Sequence, residues 1–218
     1  GTGGARTIDA RLDNQGTVTL LQPLTLSHAS AVHANSGLID ASAANFTLTQ
    51  SGTAPSFTNS GTITIGAGHT WTVTIGTLNH SAGTLGGPGT LSLQTVTANF
   101  TTNFTNATTG LVADNSTLNG PGTLTNAPGQ TLTLRYTTVG ASATLDNQGL
   151  LVLNGTVNVN GPLTTAAGSV IRLQGDGTTG FATLTSAASF TNNAATEPTS
   201  ITSSYTATVA VAGTNKLT

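Results

Sequence analysis

Cysteine and methionine are both absent from the 218 residues, and only 6% of the chain is charged. Without cysteine there is no disulfide framework, thiolate zinc site or cysteine nucleophile. Five lysines and arginines in the whole chain are too few to build the positive patch that nucleic acid requires, so nucleic acid is not an expected partner. No apolar run approaches the ~20 residues of a membrane helix, and membrane insertion of this segment is not expected. Helix formers such as Glu, Lys and Arg are scarce as well. Soluble surfaces usually carry about a quarter charged residues, so hydroxyls and amides must solvate this one.

What is present is 47 Thr, 27 Gly and 18 Asn, together 92 of the 218 residues. Thr is β-branched and favours strands, whereas Gly and Asn favour turns. A disordered chain would pair such polarity with high net charge and few branched apolar residues. Here the net charge is −2, and Val, Ile, Leu and Phe recur at alternating positions. A folded all-β chain is expected.

The chain repeats. Leu12-Asp13-Asn14-Gln15-Gly16 returns unchanged as Leu145-Asp146-Asn147-Gln148-Gly149. Phe57-Thr58-Asn59, Phe104-Thr105-Asn106, Leu124-Thr125-Asn126 and Phe190-Thr191-Asn192 share its pattern of a large apolar residue, a small polar one, then Asn. Asn14, Asn59, Asn106, Asn126, Asn147 and Asn192 are separated by 45, 47, 20, 21 and 45 residues, as one unit of about 20–25 residues with degenerate copies in the gaps would give. Units are placed at Leu12, Val32, Phe57, Leu78, Phe104, Leu124, Leu145, Ala166 and Phe190, which makes nine. Within a unit the period is two, as in Thr17-Val18-Thr19-Leu20, Thr62-Ile63-Thr64-Ile65 and Thr131-Leu132-Thr133-Leu134. Gly87-Pro88-Gly89, Gly120-Pro121-Gly122 and Asn154-Gly155 mark turns between strands.

Such a unit is too small to bury its own apolar face, and stacking successive units solves that problem. The expected fold is a right-handed, single-stranded parallel β-helix (a β-solenoid) of about nine coils. Residues 12–189 form the repeats, residues 1–11 an N-terminal cap or linker, and residues 190–218 the last coil with a C-terminal cap or linker. The six recurrent asparagines are expected to stack as an amide ladder, which His80 could continue through a ring nitrogen. A sandwich or barrel offers no reason for the repeated Leu-Asp-Asn-Gln-Gly, and a propeller repeats over ~40–50 residues.

Leu-Asp-Asn-Gln-Gly-Thr-Val-Thr-Leu, Phe-Thr-Asn-Ser-Gly-Thr-Ile-Thr-Ile and the Gly-Pro-Gly-Thr-Leu repeats resemble the β-helix repeats of secreted bacterial surface proteins. These are the filamentous-haemagglutinin-like adhesins and autotransporter passenger domains. The resemblance spans nearly the whole chain from Leu12 onward. It implies export to the cell surface, a shaft-like role in attachment, biofilm or fibre formation, and host or cell-surface glycans or proteins as partners. The family's Met-initiated signal segment, N-terminal secretion cap and C-terminal membrane barrel are not recognised in the chain, which the resemblance makes a mature fragment.

Catalysis on a β-helix calls for two or three converging carboxylates. The acids are Asp9, Asp13, Asp40, Asp114, Asp146, Asp176 and Glu197, at most one per coil, and they read as turn residues. His28, His33, His69 and His80 lack the company of a three- or four-ligand metal site. Trp71 alternates with Val73 and Ile75 and reads as core. No enzyme activity, cofactor or metal is therefore expected. Three other readings stay open: a filament subunit associating end to end, a carbohydrate-binding or carbohydrate-active β-helix, and an ice-binding Thr face. The last is weakened because Leu38/Asp40 and Leu150/Val152 interrupt the Thr17/Thr19, Thr62/Thr64 and Thr131/Thr133 array.

Overall fold

The computed structural model describes residues 4–201 and 205–218, and these form an all-β solenoid of about ten turns with every strand pair parallel. Each turn lays down one strand on sheet A and a second on sheet B. Sheet A runs Arg6–Ile8, Leu24–Leu26, Phe46–Thr49, Thr70–Thr74, Thr90–Gln94, Gly110–Asp114, Thr131–Arg135, the first half of Leu150–Val159, Val170–Gly175 and Ala195–Ser200. Sheet B follows it from Asp13–Asn14 to Thr206–Val211. The third strand of a turn joins sheet C in turns one to four (Thr17–Thr19 to Thr84–Gly86) and sheet D in turns five to eight (Phe104–Thr105 to Leu163–Thr165). One turn takes between 18 residues (Arg6 to Leu24) and 25 (Phe46 to Trp71) in the sheet A register.

The expected nine coils become about ten because both end segments wind on: Arg6–Ile8 pairs with Leu24–Leu26, and Ala195–Ser200 pairs with Val170–Gly175. At the ~4.8 Å spacing of paired strands, ten turns rise about 43 Å. Residues 1–3 of the expected N-terminal cap lie outside the described residues.

Alternation turns one residue in two inward. Phe46, Trp71, Leu91, Leu111, Leu132 and Leu151 form one buried column, and Leu48, Val73, Leu93, Ala113, Leu134 and Leu153 form the next. Trp71 is fully buried, stacked on Phe46 at 5.7 Å and edge-on to Phe57 at 5.6 Å, as its alternation implies. The outward positions are mostly Thr and Ser.

Corners are turned in two ways. Between sheets A and B, residues at positive φ do it in turns four to eight: Ile75 (61°) with Gly76 (70°) in turn four, then one residue each, Thr95 (60°), Asn115 (47°), Tyr136 (45°) and Gly155 (62°). At Gly155 the ring of Tyr136 lies 2.4 Å from where a Cβ would stand, so a side chain there would clash as well as be strained. Between sheets B and C, Asn-x-Gly makes the corner in the first three turns. There the carbonyl oxygen of Gly37 sits 2.1 Å from a Cβ built on Gly61, so close stacking, not φ, demands glycine.

Candidate functional site

The six asparagines do not form one column. The structure sorts five of them into two, at different corners, and leaves Asn192 outside both. In the first, Asn14 Nδ2 donates to Asn35 Oδ1 (2.7 Å), Asn35 Nδ2 to Asn59 Oδ1 (2.7 Å), and Asn59 Nδ2 to His80 Nδ1 (3.3 Å). This ladder lies at the B–C corner. In the second, at the end of sheet D, Asn106 Nδ2 donates to Asn126 Oδ1 (2.8 Å), Asn126 Nδ2 to Asn147 Oδ1 (2.7 Å), and Asn147 Nδ2 to the Val170 carbonyl (3.0 Å). All six of these amides and His80 are buried.

Asn192 stands apart from Asn147, because Thr165 occupies the next register position after Asn147. Its amide bonds Ala194 O and Thr196 Oγ1 instead. Asn35, in a unit read as degenerate, is a full member of the first ladder.

The change of corner happens in turn five. In sheet B, His80 is followed in register by Phe100 rather than by an amide, and Phe104 opens sheet D four residues later. His80, Phe100 and Phe104 pack together there, with ring centroids 5.0–6.3 Å apart. The 47-residue interval from Asn59 to Asn106 is therefore two turns plus six residues of slip, not two long units. Leu12-Asp13-Asn14-Gln15-Gly16 turns from sheet B to sheet C, whereas the identical Leu145–Gly149 turns from sheet D to sheet A.

Both ladders run in one direction, each amide donating toward the C-terminal end. An amide nitrogen can only donate, so His80 Nδ1 must carry a lone pair where it receives Asn59. His33 does the same, accepting the Leu12 N–H at 3.0 Å. Burial lowers the pKa of both histidines below the ordinary 6.5, and His28 and Arg11 lower that of His33 further. The two buried histidines are thus neutral structural acceptors.

Six of the seven acids are engaged locally, Asp13 being the exception among the described residues. Asp9 meets His28 at 2.8 Å, Asp40 accepts the Ser42 N–H, and Glu197 takes two hydrogen bonds from Arg172. Asp146 holds Gln148 and Thr164 at 2.6 and 2.7 Å. Asp114 and Asp176 are both near Arg135, at 3.9 and 3.6 Å. Asp114, Arg135 and Asn154 stand in one register column, which spacings near 20 residues could have revealed. The Thr179 N–H is the largest influence holding the Asp176 carboxyl below the usual range; the Thr178 N–H, the Thr179 hydroxyl and Arg135 assist, against burial. Asp13 and Asp146, alike in motif, lie on different sheets. Among the described residues no three His, Asp or Glu side chains gather as metal ligands.

The outer surface is regular on one side. On sheet B, Ser56, Thr77, Thr97, Thr117 and Thr138 occupy one column over turns three to seven. Beside it stand Thr58, Asn79, Asn99 and Asn119, in which Asn119 Nδ2 donates to Asn99 Oδ1 (3.1 Å) and Asn99 Nδ2 to Asn79 Oδ1 (2.8 Å). Sheet C carries no such array, since Leu38 and Asp40 stand between Thr17/Thr19 and Thr62/Thr64. A notch of about 480 Å³ opens where the short Gln148-Gly149 corner falls between the longer corners Pro128–Gln130 and Ala166–Gly168.

No family model, curated protein or solved structure matches this chain.

Proposed function

We propose that this chain is a non-catalytic extracellular module of a bacterial surface protein, serving as stalk or adhesive shaft. The observation that carries the reading is the ten-turn parallel stack itself, pinned internally by directional amide ladders and faced with uncharged Thr, Ser and Asn. Such a stack transmits load along its axis through backbone ladders, and its sheet B face repeats over turns three to seven. Six of the seven acids serve local corners and pairs, which holds those six in place. The test is incubation with a polysaccharide panel followed by mass spectrometry, alongside a glycan array with single-turn surface variants. Glycans of unchanged mass, with any retention abolished by a variant on one turn, support the reading. Shortened or unsaturated sugars would overturn it.

A filament subunit is the second reading, favoured by half-buried apolar side chains at both ends: Leu12, Val18 and Leu24 at one, Ala207, Val209 and Val211 at the other. Two features oppose it. Arg6 occupies the inward register of the first sheet A strand, and Pro198, which cannot donate to a ladder, occupies the inward register of the last. Static light scattering over a wide concentration range decides between them. A constant monomer mass removes the filament reading, and growth in mass would establish it.

A further inference from the structure

We propose that the outer face of sheet B binds the ordered water lattice of an ice surface. The column Ser56, Thr77, Thr97, Thr117 and Thr138 places one hydroxyl per turn over five turns without interruption, and the paired register fixes each above the last. The hydroxyls of Thr77, Thr97, Thr117 and Thr138 make no hydrogen bond to another described residue, so their donors and acceptors are free for solvent. Two residues along each strand, the second column repeats the pattern with Asn79, Asn99 and Asn119.

These amides bond one another along the axis, which holds their planes in a fixed orientation. The resulting grid has spacings of ~4.8 Å between turns and ~6.8 Å along a strand. Both lie close to oxygen repeats of hexagonal ice. Each Thr also carries a methyl group, and apolar groups among the hydroxyls favour an ordered water layer over a fluctuating one.

The chemistry of this face selects among occupants. It carries no charged side chain from turn three to turn seven, so ionic partners gain nothing there. It presents no aromatic ring on which a sugar could stack. A neutral grid with one column of hydroxyls and one of amides is matched by a ligand that is itself periodic, neutral and made of small donors and acceptors. This inference does not depend on the adhesive reading, since a shaft that binds no glycan could still bind ice.

The experiment uses the purified chain, partitioned into slowly growing polycrystalline ice, with thermal hysteresis measured in parallel. Thr97→Lys puts a hydrated charge at the centre of the grid. Thr125→Lys puts the same charge on sheet D, where Asp146 follows Thr125 in register. Circular dichroism confirms that each variant is folded; Thr97→Val replaces Thr97→Lys if the latter is not.

The wild type and Thr125→Lys are expected to enter the ice, and the Thr97 variant to lose roughly tenfold or more of that enrichment. Exclusion of the wild type from ice to the level of a non-binding protein would overturn the proposal. So would equal loss in the two variants. Retention on insoluble chitin or cellulose with none in ice would assign the grid to crystalline polysaccharide and overturn it as well.

Discussion

Replacing Asn126 with alanine tests the ladders where they are most exposed to failure. Its Oδ1 is the acceptor of Asn106 Nδ2, and its Nδ2 is the donor to Asn147 Oδ1, at 2.8 and 2.7 Å. The side chain is buried, so water cannot replace either partner. Each buried group left unpaired costs about 1–3 kcal/mol. Two orphans set the expected loss at about 4 kcal/mol, within a range of ~2–6. Asn99→Ala is the control: it also breaks two amide bonds, but on the outer face, where water takes over, and it should cost less than ~1 kcal/mol.

Urea unfolding followed by far-UV dichroism gives both values, and the fluorescence of Trp71, the sole tryptophan, adds a second probe in the N-terminal half. Solenoid stability sums over neighbouring turns. Asn126→Ala should therefore shift the dichroism transition to lower urea before it moves the Trp71 signal. Equal losses in Asn126→Ala and Asn99→Ala would refute the claim that the internal ladder is a buried, mutually dependent column.

Acid should loosen the fold at mild pH. His33 and His80 have pKa values below 6.5 in the folded chain, so the unfolded chain takes up protons first. Their contribution is intact above 6.5, falls as pH drops through that value, and levels off below their folded pKa values. Asn at position 80 supplies an acceptor without titrating, and His80→Asn should flatten the stability profile between pH 7 and 5 as read by thermal unfolding. The Asp176 carboxyl adds a separate loss at lower pH, below the ordinary 3.8. Gly155→Ala combines a positive φ with a clash against Tyr136 and should cost about 1–3 kcal/mol in urea unfolding, whereas Gly129→Ala, at φ 76° in open space, should cost less.

The repeated asparagines and the period-two alternation made the stacked, parallel, all-β architecture legible from the residues alone. The phase slip at turn five was not. Leu-Asp-Asn-Gln-Gly encodes a corner with an inward amide, and any corner of the coil satisfies it, so identical residues at 12–16 and 145–149 carry no mark of which corner they turn. The unit placed at Val32 looks degenerate in sequence because His33 stands in register with Phe57, doing with a neutral ring what Phe does there. The outer grid has a plain signal in the sequence: Thr77-Leu78-Asn79, Thr97-Ala98-Asn99 and Thr117-Leu118-Asn119 recur at intervals of 20. The more conspicuous threonine pairs lie on sheets A and C, where the register interrupts them.

Disulfide capture decides the winding most directly, because the chain has no cysteine of its own. The structure pairs Asn79 with Asn99 on adjacent strands of sheet B, while a single uninterrupted repeat register would set Asn79 against Thr105. Paired parallel strands lie ~4.8 Å apart, within disulfide reach. Under mild oxidation, Asn79→Cys/Asn99→Cys should cross-link, read by mass spectrometry of the trypsin-digested chain, and Asn79→Cys/Thr105→Cys should stay reduced. A cross-link in the second pair, or in neither, would contradict the slipped solenoid.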